Sequence, residues 1–159
     1  MRDVLTIGIL AFVISVIFLL LYSMLNPMFT ALSAVPEVNA SSLASASIKA
    51  GQTNLLDRFD YMVLFIFLGF VIAALITSWF IAGIPLFMFI YFLFLVIIGV
   101  VMSVLSYTWT KIATATPTFI SIVATKMPIT DHLMENFLLY MIALGFLSMI
   151  VMYAKPQQY

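Results

Sequence analysis

The polar positions of this chain are unevenly spread. From Tyr61 to Thr110, fifty residues run without Asp, Glu, Lys, Arg or His. A water-soluble domain needs charged groups on its surface, so a run of this length belongs in lipid or inside a membrane assembly. It is too long for one crossing, and Ala82-Gly83-Ile84-Pro85 stands near its middle. The pattern therefore predicts two helices, about residues 61–82 and 85–107, folded back on each other. Gly83 can take the left-handed conformation that ends a helix, and Pro85 suits the first turn of the next. With about two residues between them, the helices are expected to be antiparallel neighbours. The turn itself is apolar from Phe80 to Phe87, so its backbone groups need partners at the interface or under another protein.

Two more apolar stretches flank this hairpin. The first is Val4–Leu25, expected to end at Asn26-Pro27 because the residue before a proline is pushed out of the helical region. The last covers about residues 136–154, before Lys155-Pro156, and Thr130 with Asp131 would suit an earlier start for its helix. At 1.5 Å per residue the first three spans are about 33–35 Å long, enough for a hydrocarbon core of about 30 Å. The expected fold class is all-α: one polytopic membrane domain over residues 1–159, with about four transmembrane helices and with loops at 26–60 and 108–135. Residues 4–25 exceed the apolar core of a signal peptide, and Arg2 and Asp3 cancel, so a retained helix is expected there. Four spans put both termini on one side and both loops on the other. The Lys and Arg distribution then favours cytoplasmic loops by a small margin.

The connections have their own pattern. Residues 40–47 are small and serine-rich, suited to a flexible loop or a weak surface helix. Residues 112–125 are apolar, too short to span, and broken at Pro117, as in an interfacial or half-inserted segment. Trp79, Trp109, Tyr61 and Tyr107 lie at span ends and read as interface anchors. Tyr91 and Tyr140 would sit deeper, where each hydroxyl needs a partner.

Composition narrows the function classes. Of 159 residues, 65% are hydrophobic and only 8% charged, against about 25% charged in soluble domains. A net charge of zero removes the electrostatic case for nucleic acid. The absence of cysteine removes disulfides and thiolate sites. The spans hold no His, Asp, Glu or Lys, which argues against an enzyme and against ion-coupled transport. No catalytic, cofactor or metal residue is expected.

Three groups of residues remain as candidates. Gly69, Ala73 and Thr77, Gly99 and Ser103, and Ala11 and Ser15 recur at four-residue spacing, which lets helix backbones approach closely in lipid. They serve either packing between spans two and three or contact with another subunit. Asp131, His132 and Glu135 form a polar helix start, and His132 and Glu135 share a face. Two ligands are too few for a zinc site. Asp57, Arg58 and Asp60 either contact a partner or set the depth of a helix. Asn39-Ala40-Ser41 matches the glycosylation acceptor pattern.

The stretch Met127-Pro128-Ile129-Thr130-Asp131-His132-Leu133-Met134-Glu135-Asn136, running into a final apolar helix that ends Val151-Met152-Tyr153-Ala154, resembles small membrane proteins of tailless bacterial viruses with an internal lipid membrane. The resemblance covers about 30 of the 159 residues and carries over no functional residue. It implies a structural protein of a virion membrane, beneath an icosahedral capsid and touching capsid or vertex proteins. The expected partners are the lipid bilayer and other membrane or capsid-like proteins, in a homo- or hetero-oligomer. The alternatives are a pore former such as a holin or small channel, and an accessory subunit of a respiratory or secretion complex. A pore would have few polar lining residues: Ser15, Thr77, Ser78, Ser103, Ser106 and Ser148.

Overall fold

The computed structural model describes residues 2–80 and 85–154, and its elements there are all helical. The first helix, α1 (Arg2–Ser33), runs through Pro27. The expected stop at Asn26-Pro27 does not occur. A proline removes one backbone donor, and a membrane helix tolerates this where side chains tie the surrounding turn together. Here the Ser23 and Thr30 hydroxyls donate to the Leu20 and Asn26 carbonyls at 2.8 and 2.9 Å. Gln52 Nε2 also donates to Asn26 Oδ1 at 3.1 Å.

The loop expected at 26–60 is helical over most of its length. It contains α2 (Pro36–Ala40), α3 (Ser42–Ala50), a π-helical turn (Gly51–Leu55) and a 3-10 turn (Leu56–Arg58), and it leads into α4 (Phe59–Phe80). Ser41 caps α3 by accepting from Ala44 N at 3.4 Å. At Gly51 the Phe29 ring of α1 lies 3.0 Å from where a Cβ would stand, a close approach that a glycine permits.

Pro85 opens α5 (Pro85–Ala113). Gly83 and the proposed turn lie outside the described residues, as do Lys155 and Pro156. The loop expected at 108–135 is helical too. After α5 come α6 (Pro117–Lys126) and α7 (Pro128–Glu135). Thr116 caps α6 by accepting from Phe119 N at 3.2 Å, so Pro117 starts a helix instead of breaking one. The last helix is α8 (Phe137–Tyr153). It meets α7 at a bend of 69°. At the bend the Asn136 amide donates to the His132 carbonyl at 2.9 Å and closes the end of α7. The fourth span therefore does not extend backward in a straight line from residue 136. Met127, and not Thr130, occupies the cap position of α7.

Among the described residues, three helical stretches are long and apolar enough to cross a membrane: Val4–Ser33, Ser42–Phe80 and Ile90–Ala113. They become four if the bent α7–α8 pair counts as one span. Large apolar side chains also face outward on these helices, including Phe65 (69% exposed) on α4 and Ile150 (64%) on α8. An apolar exterior this extensive is untenable in water and compatible with a multi-pass membrane protein.

Helix α8 lies at the centre, and α4 and α5 make their main contacts with it. Among the described residues, α8 stands between α4 and α5, in place of the expected direct pairing of spans two and three. A Cβ added at Gly145 would overlap Leu95 of α5, and Tyr91 of α5 donates its hydroxyl to the Gly145 carbonyl at 3.2 Å. On α1 a Cβ at Gly8 would overlap the Met102 side chain of α5. Ala11 and Ser15 are buried beyond it on α1, and Ser15 bonds the Ala11 carbonyl at 2.8 Å. Phe137, Met141 and Leu144 of α8 complete the core with Leu19, Phe59, Val63 and Met102.

Candidate functional site

The two connecting regions meet at one end of the bundle, and a polar layer forms there. Its centre is Asp60, in the first turn of α4 and only 4% exposed. One carboxylate oxygen accepts from Ile129 N at 2.9 Å. The other accepts from Thr130 N and Thr130 Oγ1, both at 2.7 Å. These groups stand in the first turn of α7, where backbone N–H groups lack partners within the helix and the helix dipole favours an anion. Pro128 has no N–H, and Met127 at the cap position has no side-chain acceptor of the usual kind. The capping acceptor therefore comes from another helix, some seventy residues back in the chain.

Further contacts surround this centre. Asp57 and Lys126 form an ion pair at 2.7 Å, with side chains 39% and 42% exposed. The Asp57 hydrogen bond raises the Lys126 pKa above the ordinary lysine value, and burial partly opposes that rise. Trp109 is fully buried and donates its indole N–H to Asp131 at 2.9 Å. This corrects its reading as an interface anchor: α7 folds over the end of α5, so protein and not headgroups surrounds the ring. Ser106 of α5 donates to the Glu135 carbonyl at 2.9 Å. Arg58, His132 and Glu135 are exposed. The His132 ring stands edge-on to Tyr140 with centroids 6.4 Å apart.

The structure thus brings Asp57, Asp60 and Asp131 to one end and engages each with a donor of this chain. Saturated in this way, Asp60 acts as a clamp between α4 and α7. Among the described residues, no group of three His, Cys, Asp or Glu side chains is placed to hold a metal ion.

The small-residue candidates separate. Gly69, Ala73 and Thr77 lie on the outward face of α4, and a Cβ at Gly69 would meet nothing within 4 Å. Packing of this stripe against span three is therefore not its role, because α4 turns Val63, Phe67 and Ala74 inward instead. Gly99 is half-buried, 3.6 Å from Leu138 Cδ1 at its Cβ position, and Ser103 is exposed one turn further on. Tyr61, Trp79 and Tyr107 are exposed, and Lys111 Nζ sits 5.3 Å from the centre of the Tyr107 ring.

Sequence reasoning missed the clamp role of Asp60, the Lys126 pair, and the close approaches at Gly8 and Gly145. Two signals pointed toward the glycines. The Tyr91 hydroxyl required a partner deep in the bundle, and the Ala11/Ser15 face extends by one turn to Gly8. Comparison with protein-family models, curated proteins and solved structures finds no match.

Proposed function

We propose that the chain is a non-enzymatic structural or assembly protein of a membrane complex, and that the outward face of α4 docks a helix of another subunit. The exposed stripe Gly69, Ala73 and Thr77 carries this reading. Lipid gains nothing from small side chains at four-residue spacing, whereas a second helix gains close backbone contact. The Thr77 hydroxyl bonds its own helix at Ala73 O, so the face presents little unsatisfied polarity. Four of the six candidate pore-lining hydroxyls favour this reading over a pore. Ser15, Thr77 and Ser78 bond carbonyls of their own helices, and Ser106 bonds Glu135 O.

The resemblance of residues 127–154 to membrane proteins of internal-membrane viruses supports a virion membrane as the assembly, with capsid or vertex proteins among the partners. A capsid or packaging-ATPase gene beside the coding sequence would be the supporting observation. The docking face has a direct test, because the chain lacks cysteine. Ala73→Cys, oxidised or treated with a short crosslinker in native membranes, should give one discrete adduct. Ile17→Cys, on an exposed face of α1, should give none. No adduct at residue 73, or equal adducts at both positions, would sink the proposal. Release of dye from liposomes at low protein density would favour the pore instead.

A further inference from the structure

A groove runs between α5 and α8 on the outside of the bundle, with a volume of about 540 Å³. Its floor is Gly99, and its walls include Val96 and Ser103 of α5 with Leu138, Ile142 and Phe146 of α8. Gly99 leaves the floor open: a Cβ there would reach only ordinary contact with Leu138 at 3.6 Å and Ile142 at 4.0 Å. Above Ser103, at four-residue spacing along α5, stand Tyr107 and Lys111, both exposed, with the ammonium over the ring. This is also the level of the polar layer, where Trp109 meets Asp131 and Ser106 meets Glu135. One side of α5 therefore presents an apolar channel that ends under an aromatic ring and a cation. Those are the two chemistries of a phospholipid, an acyl chain followed by a phosphate.

We infer that this groove holds one phospholipid, with an acyl chain over Gly99 and the phosphate on Lys111. The inference rests on the placement of α5 and α8 in a bilayer and is independent of what docks on α4. The test is native mass spectrometry of the whole protein extracted in mild detergent and titrated with phosphatidylglycerol or with diacylglycerol. Wild type should retain bound phosphatidylglycerol. Lys111→Gln should weaken its binding about fivefold, the ratio given by about 1 kcal/mol for one cation at an anionic headgroup. Gly99→Leu fills the floor and should reduce binding at least as much. Gly69→Leu, on the exposed stripe of α4 and outside the groove lining, should leave it unchanged while disturbing the α4 contact, so the two proposals fail separately. Equal binding of diacylglycerol and phosphatidylglycerol would overturn the phosphate assignment. Unchanged binding in Lys111→Gln and Gly99→Leu, or equal loss in Gly69→Leu, would overturn the site.

Discussion

The two halves of α4 behave as different helices, although both are apolar. In the first half, Phe59, Asp60, Val63 and Phe67 are buried, and Asp60 locks the helix to α7 through three hydrogen bonds. In the second half, Gly69, Ala73 and Thr77 face outward and the Thr77 hydroxyl satisfies itself on its own backbone. The first half is held by directional bonds with few substitutes. The second half still turns Ala74 inward, but its outward face is a surface whose contribution depends on what covers it. The lesson is that helix-packing signals in an apolar chain do not say which helix they serve. Gly145 has neighbours pressed against it and Gly69 has none, and the residue type alone does not separate them.

The largest effect is expected at the buried half. Asp60→Ala leaves two backbone N–H groups and the Thr130 hydroxyl without their acceptor, at roughly 3 kcal/mol or more. Thermal unfolding in detergent should show a large loss. Thr77→Val should change stability by less than about 0.5 kcal/mol. Equal effects of the two would erase the distinction between the halves.

The glycine contrast comes next in size. Gly145→Ala drives a methyl into Leu95, an overpacking that costs about 1–3 kcal/mol. Gly69→Ala meets open space and should stabilise the isolated chain by about 0.5–1 kcal/mol through helix propensity. The same Gly69→Ala change should weaken the complex if α4 docks a partner. A stabilised chain with an equally stable complex would remove the reason to place a partner there.

Trp109→Phe tests whether α7 really covers the end of α5. It deletes the bond to Asp131 and part of a fully buried ring, with an expected loss of about 1–3 kcal/mol. An indole at the headgroup level would be replaced by Phe at little cost, so a small effect would restore the anchor reading. Indole fluorescence in a Trp79→Phe background separates the two as well, since a buried Trp109 ring should resist quenching by acrylamide.

The smallest effect belongs to the Asp57–Lys126 pair. Its side chains are more than a third exposed, so solvent screening reduces its contribution to a few tenths of a kcal/mol. Asp57 raises the folded-state pKa of Lys126, so the contribution is fully present below the unfolded lysine pKa and is lost as pH rises through the folded value. The stability difference between wild type and Lys126→Gln should hold constant from neutral pH upward and vanish only in the strongly alkaline range. A difference that disappears near neutrality would assign it to another group.

Much of the architecture was legible along the chain. The charge-free run, the apolar stretch near the N-terminus and the closing apolar helix correspond to α4, α5, α1 and α8. The extensions of α1 past Pro27 and of α5 to Ala113 were not legible, because the turn around Pro27 is tied by the Ser23, Thr30 and Gln52 side chains and Ala113 is buried only once the helices pack. The polar end was half legible. The residues 57–60 and 131–135 stood out, but nothing in their spacing says that Asp60 caps α7.

By itself, the sequence determined that the chain is helical, that its long apolar helices suit a membrane, and where polar groups collect. These follow from local composition, since burying backbone and apolar side chains in lipid demands helices of a set length and few charges. Tertiary structure alone decided that α8 stands between α4 and α5, that Trp109 is inside, that Gly69 is outside, and that Asp60 completes a distant helix. These choices depend on which surfaces meet. Side-chain volume and unsatisfied backbone groups settle that only once all the helices are packed.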